Sequence, residues 1–131
     1  MTPLDQKYLK GNAEGISGDC LRACVASILE LPLEEVPHFV EEHQNGILAM
    51  HDWLFTRGID CLALKGHYDV STHVIFTGLS PRSTHGRHAV VGLAGEIVHD
   101  PHPDRTGLRG LAEHTYIFLP VEFDWSKHRS P

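Results

Sequence analysis

The chain lacks long apolar runs, is poor in cysteine and has few basic residues, and each shortage excludes a class of protein. None of its 131 residues belongs to an apolar stretch of the roughly 20 positions that a membrane-spanning helix needs. Its three cysteines are an odd number, so they cannot all pair in internal disulfides. The 11 Lys and Arg residues are outnumbered by 17 Asp and Glu residues and are scattered, so we expect neither a nucleic-acid nor a membrane partner.

The beginning of the sequence also lacks the pattern of an export signal. Residues 1–6 contain no basic segment that is followed by an apolar one. We therefore expect a cytoplasmic protein whose thiols are reduced. Composition leaves the oligomeric state open.

The 41% of hydrophobic residues is enough for one core, and we expect a single domain over residues 1–131. Apolar residues at helical spacing predict a helix from about residue 19 to residue 31 and a second long helix over residues 47–57. Strands are predicted over residues 60–65, 72–76, 88–93, 96–100 and 115–121. Helices that precede strands favour an α+β domain whose first helix packs on an antiparallel sheet.

Cys20 stands out because it directly follows Gly18 and Asp19 at the predicted start of the first helix. Ser17 or Asp19 is expected to cap this helix. A thiol in the first helical turn lies near free N–H groups and the positive end of the helix dipole, which favour the reactive thiolate. The competing interpretation is core packing, since free cysteines are often buried.

The other two cysteines show no comparable setting. Cys24 lies one turn further along the helix among small and apolar residues, and we expect it to be a core thiol. Cys61 falls within a predicted strand and has no candidate partner.

A predicted hairpin over residues 88–100 carries His88 at its start and Asp100 at its end. A two-residue turn at Ala94 and Gly95 would require a positive φ at Ala94, so we expect a three-residue loop over residues 93–95 instead. That loop pairs His88 with Asp100 on one face, about 5 Å apart at Cβ. An imidazole held by a carboxylate has a fixed tautomer and orientation, as a general base requires. The alternative is a surface hairpin whose polar ends happen to face each other.

Acyl transfer also needs donors for the oxyanion that develops on the substrate. The backbone N–H of Cys20 is one candidate. The side-chain amide of Gln6, which precedes Cys20 in the sequence, is another.

A metal site is a further alternative, because the chain has 11 histidines. The candidate ligands are His85, His88, His99, His102, Asp100 and Asp104. Zinc accepts both residue types, but the predicted register turns His88 and His99 to opposite faces, and the spacing matches no usual zinc motif. A third possibility is a binding module without catalytic activity. We expect no cofactor and no metal.

Gln6, Cys20, the run that begins at His88, and the Asp100-Pro101 pair occur in an order that resembles the papain-like cysteine peptidase superfamily. The chain is most similar to the small branch that includes the leader peptidases of bacteriocin exporters, which act at double-glycine leaders, and to related small bacterial and phage proteins. In that branch a glycine usually follows the cysteine, where this chain has Leu21.

This resemblance implies a papain-like domain that acts as a cysteine hydrolase, a peptidase or an amidase. It implies that Cys20 is the nucleophile, His88 the general base and acid, Asp100 the residue that orients His88, and Gln6 an oxyanion donor. The expected substrate is a peptide, a protein or another amide. The sequence leaves open whether the reaction is that of a peptidase, isopeptidase, amidase or acyltransferase.

Overall fold

The computed structural model describes residues 1–121, so residues 122–131 of the predicted domain lie outside the described part. The helices are α1 (Cys20–Leu29), a 3₁₀ turn (Leu33–Glu35), α2 (Phe39–Glu42) and α3 (Gly46–Thr56). The strands are β1 (Ile59–Lys65), β2 (Val74–Leu79), β3 (Arg87–Leu93), β4 (Glu96–His99) and β5 (His114–Pro120). No helix within residues 1–121 has both the length and the hydrophobicity needed to cross a membrane.

The strands form one antiparallel sheet in the order β1-β5-β2-β3-β4. Helix α1 packs against β3, and α3 packs against β1. The main core between the helices and the sheet includes Val25, Met50, Leu54, Ile75 and Val91. The predicted α+β class, with the first helix packed on an antiparallel sheet, is therefore confirmed.

Helix α1 begins one residue after the predicted start and ends at Leu29, because Glu30 adopts the left-handed conformation with a φ of 57°. The predicted side-chain cap is wrong, since neither Ser17 nor Asp19 caps the helix through its side chain. The Asp19 carboxylate instead accepts a hydrogen bond from the backbone N–H of Tyr8 at 2.8 Å. Helix α2 was not predicted from the sequence.

The hairpin of β3 and β4 departs from the predicted register. Its turn consists of Ala94 and Gly95, with φ values of 53° and 80°, and Leu93 pairs with Glu96. The three-residue loop predicted from the sequence is therefore wrong, and Ala94 does adopt the positive φ that we expected it to avoid.

A β-bulge then shifts the pairing between β3 and β4. Gly92 pairs with Ile97, but the next residue on β3, Val91, pairs with His99, which leaves Val98 as the extra residue. Without this bulge, the observed turn would send the side chains of His88 and Asp100 to opposite faces of the sheet. With the bulge, the register continued beyond His99 returns Asp100 to the face of His88.

Candidate active site

Cys20 is the first residue of α1 and is half-buried, whereas Cys24 and Cys61 are buried. Its N–H has no acceptor within the helix, because the first turn of a helix lacks preceding carbonyls. Burial raises the pKa of the Cys24 thiol well above its ordinary value, and burial beside Asp60 raises the pKa of Cys61 to about 12. Cys20 is thus the one thiol of the three that is accessible to a substrate.

Asp100 holds His88 at the start of β3. Nε2 of His88 lies 2.7 Å from Oδ1 of Asp100, and both side chains are almost completely buried. The same carboxylate accepts hydrogen bonds from the backbone N–H groups of His102 at 2.9 Å and Gly107 at 2.7 Å. Burial favours the neutral acid, but the bonds from His88, His102 and Gly107 outweigh it and lower the pKa of Asp100 to about 2.

His88 and Cys20 line the same two clefts, and the influence of Cys20 is one of the causes that raise the pKa of His88. Because Nε2 faces Asp100, Nδ1 is the ring nitrogen left to face the thiol. Burial acts to lower the pKa of His88, but the hydrogen bond to Asp100 and the influence of Cys20 outweigh it and raise this pKa to about 9. At neutral pH the ring is therefore a cation that is bonded to the Asp100 carboxylate.

Two clefts meet at Cys20 and His88. The first, which we call the basic cleft, has a volume of about 600 Å³ and is lined by residues that include Gln6, Lys10, Cys20, Arg82, Arg87 and His88. The second, which we call the apolar cleft, has a volume of about 560 Å³ and is lined by residues that include Cys20, Leu21, Val40, Ile47, Ala89 and Tyr116. A substrate large enough to fill both clefts can therefore extend in two directions from the sulfur of Cys20.

Gln6 lines the basic cleft because the N-terminal segment, residues 1–8, runs beside α1 and beside residues 100–107, which follow β4 and which we call the Asp100 loop. The backbone N–H of Gln6 donates to the carbonyl of Pro101 at 3.0 Å. Its side-chain Nε2 donates to the carbonyl of Tyr8 at 2.7 Å, which fixes the orientation of the amide. This bond uses one of the two N–H groups of Nε2, while Oε1 is buried and has no hydrogen-bond partner within residues 1–121.

His88 and His99, two of the candidate ligands of the metal alternative, have separate partners. Within residues 1–121, no three His, Cys, Asp or Glu side chains are grouped so that they could hold a metal ion. His99 lies on the other side of β4 from the His88 pair, and its Nε2 donates to the carbonyl of Leu4 at 2.8 Å.

Three contacts near the site were not predicted from the sequence. Asp19 is fully buried and connects the start of α1 to Tyr8. The ring of His102 lies 6.3 Å from that of His88, between centroids, and lines the basic cleft. Arg105 binds both carboxylate oxygens of Asp5 and fastens the N-terminal segment to the Asp100 loop. Each contact joins segments distant in sequence, so no local pattern indicates it.

Comparison with known proteins found no match to a protein-family model, to a curated protein or to a solved structure. Function is therefore inferred from the arrangement of Cys20, His88, Asp100 and Gln6.

Proposed function

We propose that this chain is a papain-like cysteine hydrolase that cleaves an amide or related acyl bond through a thioester on Cys20. The observation that carries the proposal is the position of His88, which bonds to Asp100 at 2.7 Å and lines the same two clefts as the accessible thiol of Cys20. A surface hairpin with polar ends that meet by chance would not bury both members of the ion pair beside a thiol at a helix start.

The first half of the reaction uses the cationic ring. The Cys20 thiolate attacks the acyl carbon of the substrate, and the carbonyl oxygen becomes an oxyanion. The N–H of Cys20 and the free N–H of Gln6 Nε2 supply hydrogen bonds to that oxyanion. Collapse of the intermediate breaks the acyl bond, the proton of His88 Nδ1 passes to the leaving group, and the acyl group remains on sulfur as a thioester.

The second half uses the neutral ring that the first half leaves behind. His88 takes a proton from a water molecule, and the resulting hydroxide attacks the thioester. The Cys20 thiolate leaves as the acyl product is released as a carboxylic acid. Asp100 stays ionised throughout, because its low pKa and its two backbone donors hold it as a carboxylate.

The experiment that tests the proposal measures the rate of Cys20 alkylation by iodoacetamide across pH, with the modified residue identified by mass spectrometry. The wild-type protein is compared with His88→Ala. We expect Cys20 to be alkylated faster in the wild type than in His88→Ala at neutral pH, because a neighbouring imidazolium favours the reactive thiolate.

His85→Ala is the matched control, since His85 is an exposed histidine close to β3 in sequence. It should leave the alkylation profile unchanged. Identical profiles for the wild type and His88→Ala would overturn the proposal. A profile that His88→Ala shifts would justify a search for the acyl-enzyme on Cys20 with peptide mixtures, in which Cys20→Ala should accumulate none.

A further inference from the structure

The basic cleft is lined by positively charged residues, although the protein as a whole is acidic. Its lining includes three cations, Lys10, Arg82 and Arg87, but none of the Asp and Glu residues that the structure describes. The chain as a whole carries a net charge of -6. Cations are therefore concentrated beside Cys20 in a chain where acidic residues are in the majority.

Neighbouring carboxylates compensate two of these cations from outside the cleft. Nη1 of Arg82 donates to Oδ1 of Asp104 at 2.9 Å and to Oγ1 of Thr106 at 2.9 Å. Arg87 forms an ion pair with Glu113. These ion pairs fix the positions of both guanidinium groups, whose residues line the cleft.

Lys10 is different, because it forms no ion pair with any residue of the described range 1–121. Its Nζ lies 3.4 Å from Oγ of Ser83, which also lines the cleft. The Lys10 ammonium therefore lies at the basic cleft beside the loop before β3, and no carboxylate of residues 1–121 forms an ion pair with it.

The apolar cleft on the other side of Cys20 has a different chemistry. Leu21, Val40, Ile47, Ala89 and Tyr116 are among its lining residues, and within residues 1–121 its only Lys or Arg is Arg87, which both clefts share. The two parts of a substrate on either side of the sulfur would thus meet different environments.

We propose that the substrate carries a carboxylate on the part that occupies the basic cleft, where Lys10 and Arg82 attract it. This inference deepens the proposed function and rests on it. The substrate class is an acidic acyl compound, in the simplest case a peptide with an acidic residue or a terminal carboxylate next to the scissile bond. Electrostatic attraction in a partly enclosed cleft increases both the local concentration and the rate of association of such a molecule.

The test uses two thiol reagents that differ in charge alone, 3-maleimidopropionic acid and its neutral amide. Both add to the Cys20 thiolate, and the tail of each extends away from the sulfur into the cleft. The measured quantity is the ratio of the Cys20 labelling rates, acid over amide, at neutral pH and low ionic strength. Cys24 and Cys61 are buried, so labelling of the folded protein reports on Cys20.

We expect Lys10→Gln to lower this ratio about threefold, as for unit charges about 6 Å apart in water. Asp104→Asn should raise the ratio, because it frees Arg82 from its partner. Lys65→Gln is the matched control, since it makes the same change of charge at the end of β1, an edge strand separated from β3 in the sheet. It should leave the ratio unchanged, and added salt should weaken the wild-type preference.

Two failures are distinguishable. Equal ratios in Lys10→Gln, Lys65→Gln and the wild type, with Cys20 reactive toward both reagents, would overturn the carboxylate preference and leave the hydrolase proposal intact. A Cys20 that reacts with neither reagent in the folded protein would overturn both proposals.

Discussion

The side chain of His88 meets that of Asp100 at 2.7 Å although the two residues are not directly opposite each other across β3 and β4. The register at Val91 and His99, continued along the chain, places Asp100 beside Val90 and one diagonal step from His88. Backbone donors from His102 and Gly107 hold the carboxylate in that position. The pair therefore depends on the loop after β4 as much as on the hairpin.

Replacement of Asp100 by Asn should lower the pKa of His88. The carboxylate accepts three hydrogen bonds, and an amide cannot accept at both of its terminal atoms. The negative charge that favours the imidazolium is also lost. We expect NMR titration of the His88 ring to show its pKa falling from about 9 toward the ordinary 6.5.

Asp52→Asn is the control for this titration, because it makes the same chemical change at an exposed carboxylate on α3 that lines neither cleft. His88 should titrate there as in the wild type. A His88 pKa that stays near 9 in Asp100→Asn would contradict the contribution assigned to the carboxylate.

The free energy of unfolding should fall at alkaline pH, because the stabilising contribution of His88 is lost there. Its pKa is raised in the folded state from 6.5 to about 9, so its contribution is complete below pH 6.5 and is lost as pH rises through 9. The contribution is on the order of 3 kcal/mol, since one pKa unit corresponds to about 1.4 kcal/mol. Denaturant unfolding of the wild type and of His88→Gln should give free energies that converge as pH rises.

His85→Gln is the corresponding control, and its free energy of unfolding should follow that of the wild type at every pH. A difference between the wild type and His88→Gln that grows with rising pH would contradict the assignment. Asp100 acts in the opposite direction, because its pKa is lowered from 3.8 to about 2 and its contribution is lost as pH falls through that range.

The sequence predicted the long helices and the strands better than the turns that connect them. Helix α3 was expected over residues 47–57 and occupies Gly46–Thr56, and five of the five described strands overlap a predicted one. Periodic apolar residues and terminating Gly and Pro residues are local signals, which a sequence contains directly. Helix α2 has four residues, too few to display a period, and was missed.

In the candidate site too, the residues could be predicted from the sequence, whereas the geometry that brings them together could not. The sequence singled out Cys20, His88, Asp100 and Gln6 from their positions along the chain, and the fold brings all four to one place. His88 and Asp100 lie on the same face, as predicted, but the turn that places them there differs from the predicted one. A two-residue turn and a bulge at Val98 together place His88 and Asp100 on the same face of the sheet, as the predicted three-residue loop would have done alone. The energetic preference at one turn residue was thus outweighed by the pairing of the whole hairpin.

Replacement of Ala94 by Gly should stabilise the protein by about 0.5–1 kcal/mol. The left-handed conformation costs an L-residue roughly 1–2 kcal/mol, and the greater flexibility of glycine in the unfolded chain offsets part of the gain from removing this cost. Ala94 has a φ of 53°, is exposed, and donates through its backbone N–H to the carbonyl of Val70 at 2.8 Å, a bond that Gly can keep. Chemical denaturation measures the change. Ala63→Gly, at an exposed position in β1, should be destabilising instead. Equal destabilisation by both substitutions would contradict a strained turn at Ala94.

Replacement of Asp19 by Ala should release the N-terminal segment that carries Gln6. The buried Asp19 carboxylate is the acceptor for the N–H of Tyr8 at 2.8 Å, and the carbonyl of Tyr8 accepts from Gln6 Nε2 at 2.7 Å. Loss of the acceptor leaves a partly buried N–H without a partner, which costs about 1–3 kcal/mol. We expect hydrogen exchange at the Tyr8 amide to become faster in Asp19→Ala.

Asp19→Asn separates the hydrogen bond from the charge, because its carbonyl oxygen can still accept from Tyr8. The second carboxylate oxygen of Asp19 is buried and has no hydrogen-bond partner within residues 1–121, and it lies 3.5 Å from the guanidinium of Arg22. Removal of the charge therefore leaves the bond to Tyr8 intact, and Asp19→Asn should keep the slow exchange of the wild-type Tyr8 amide. Slow exchange at Tyr8 in Asp19→Ala as well would show that the segment is held without Asp19, through its contacts with Pro101 and Arg105.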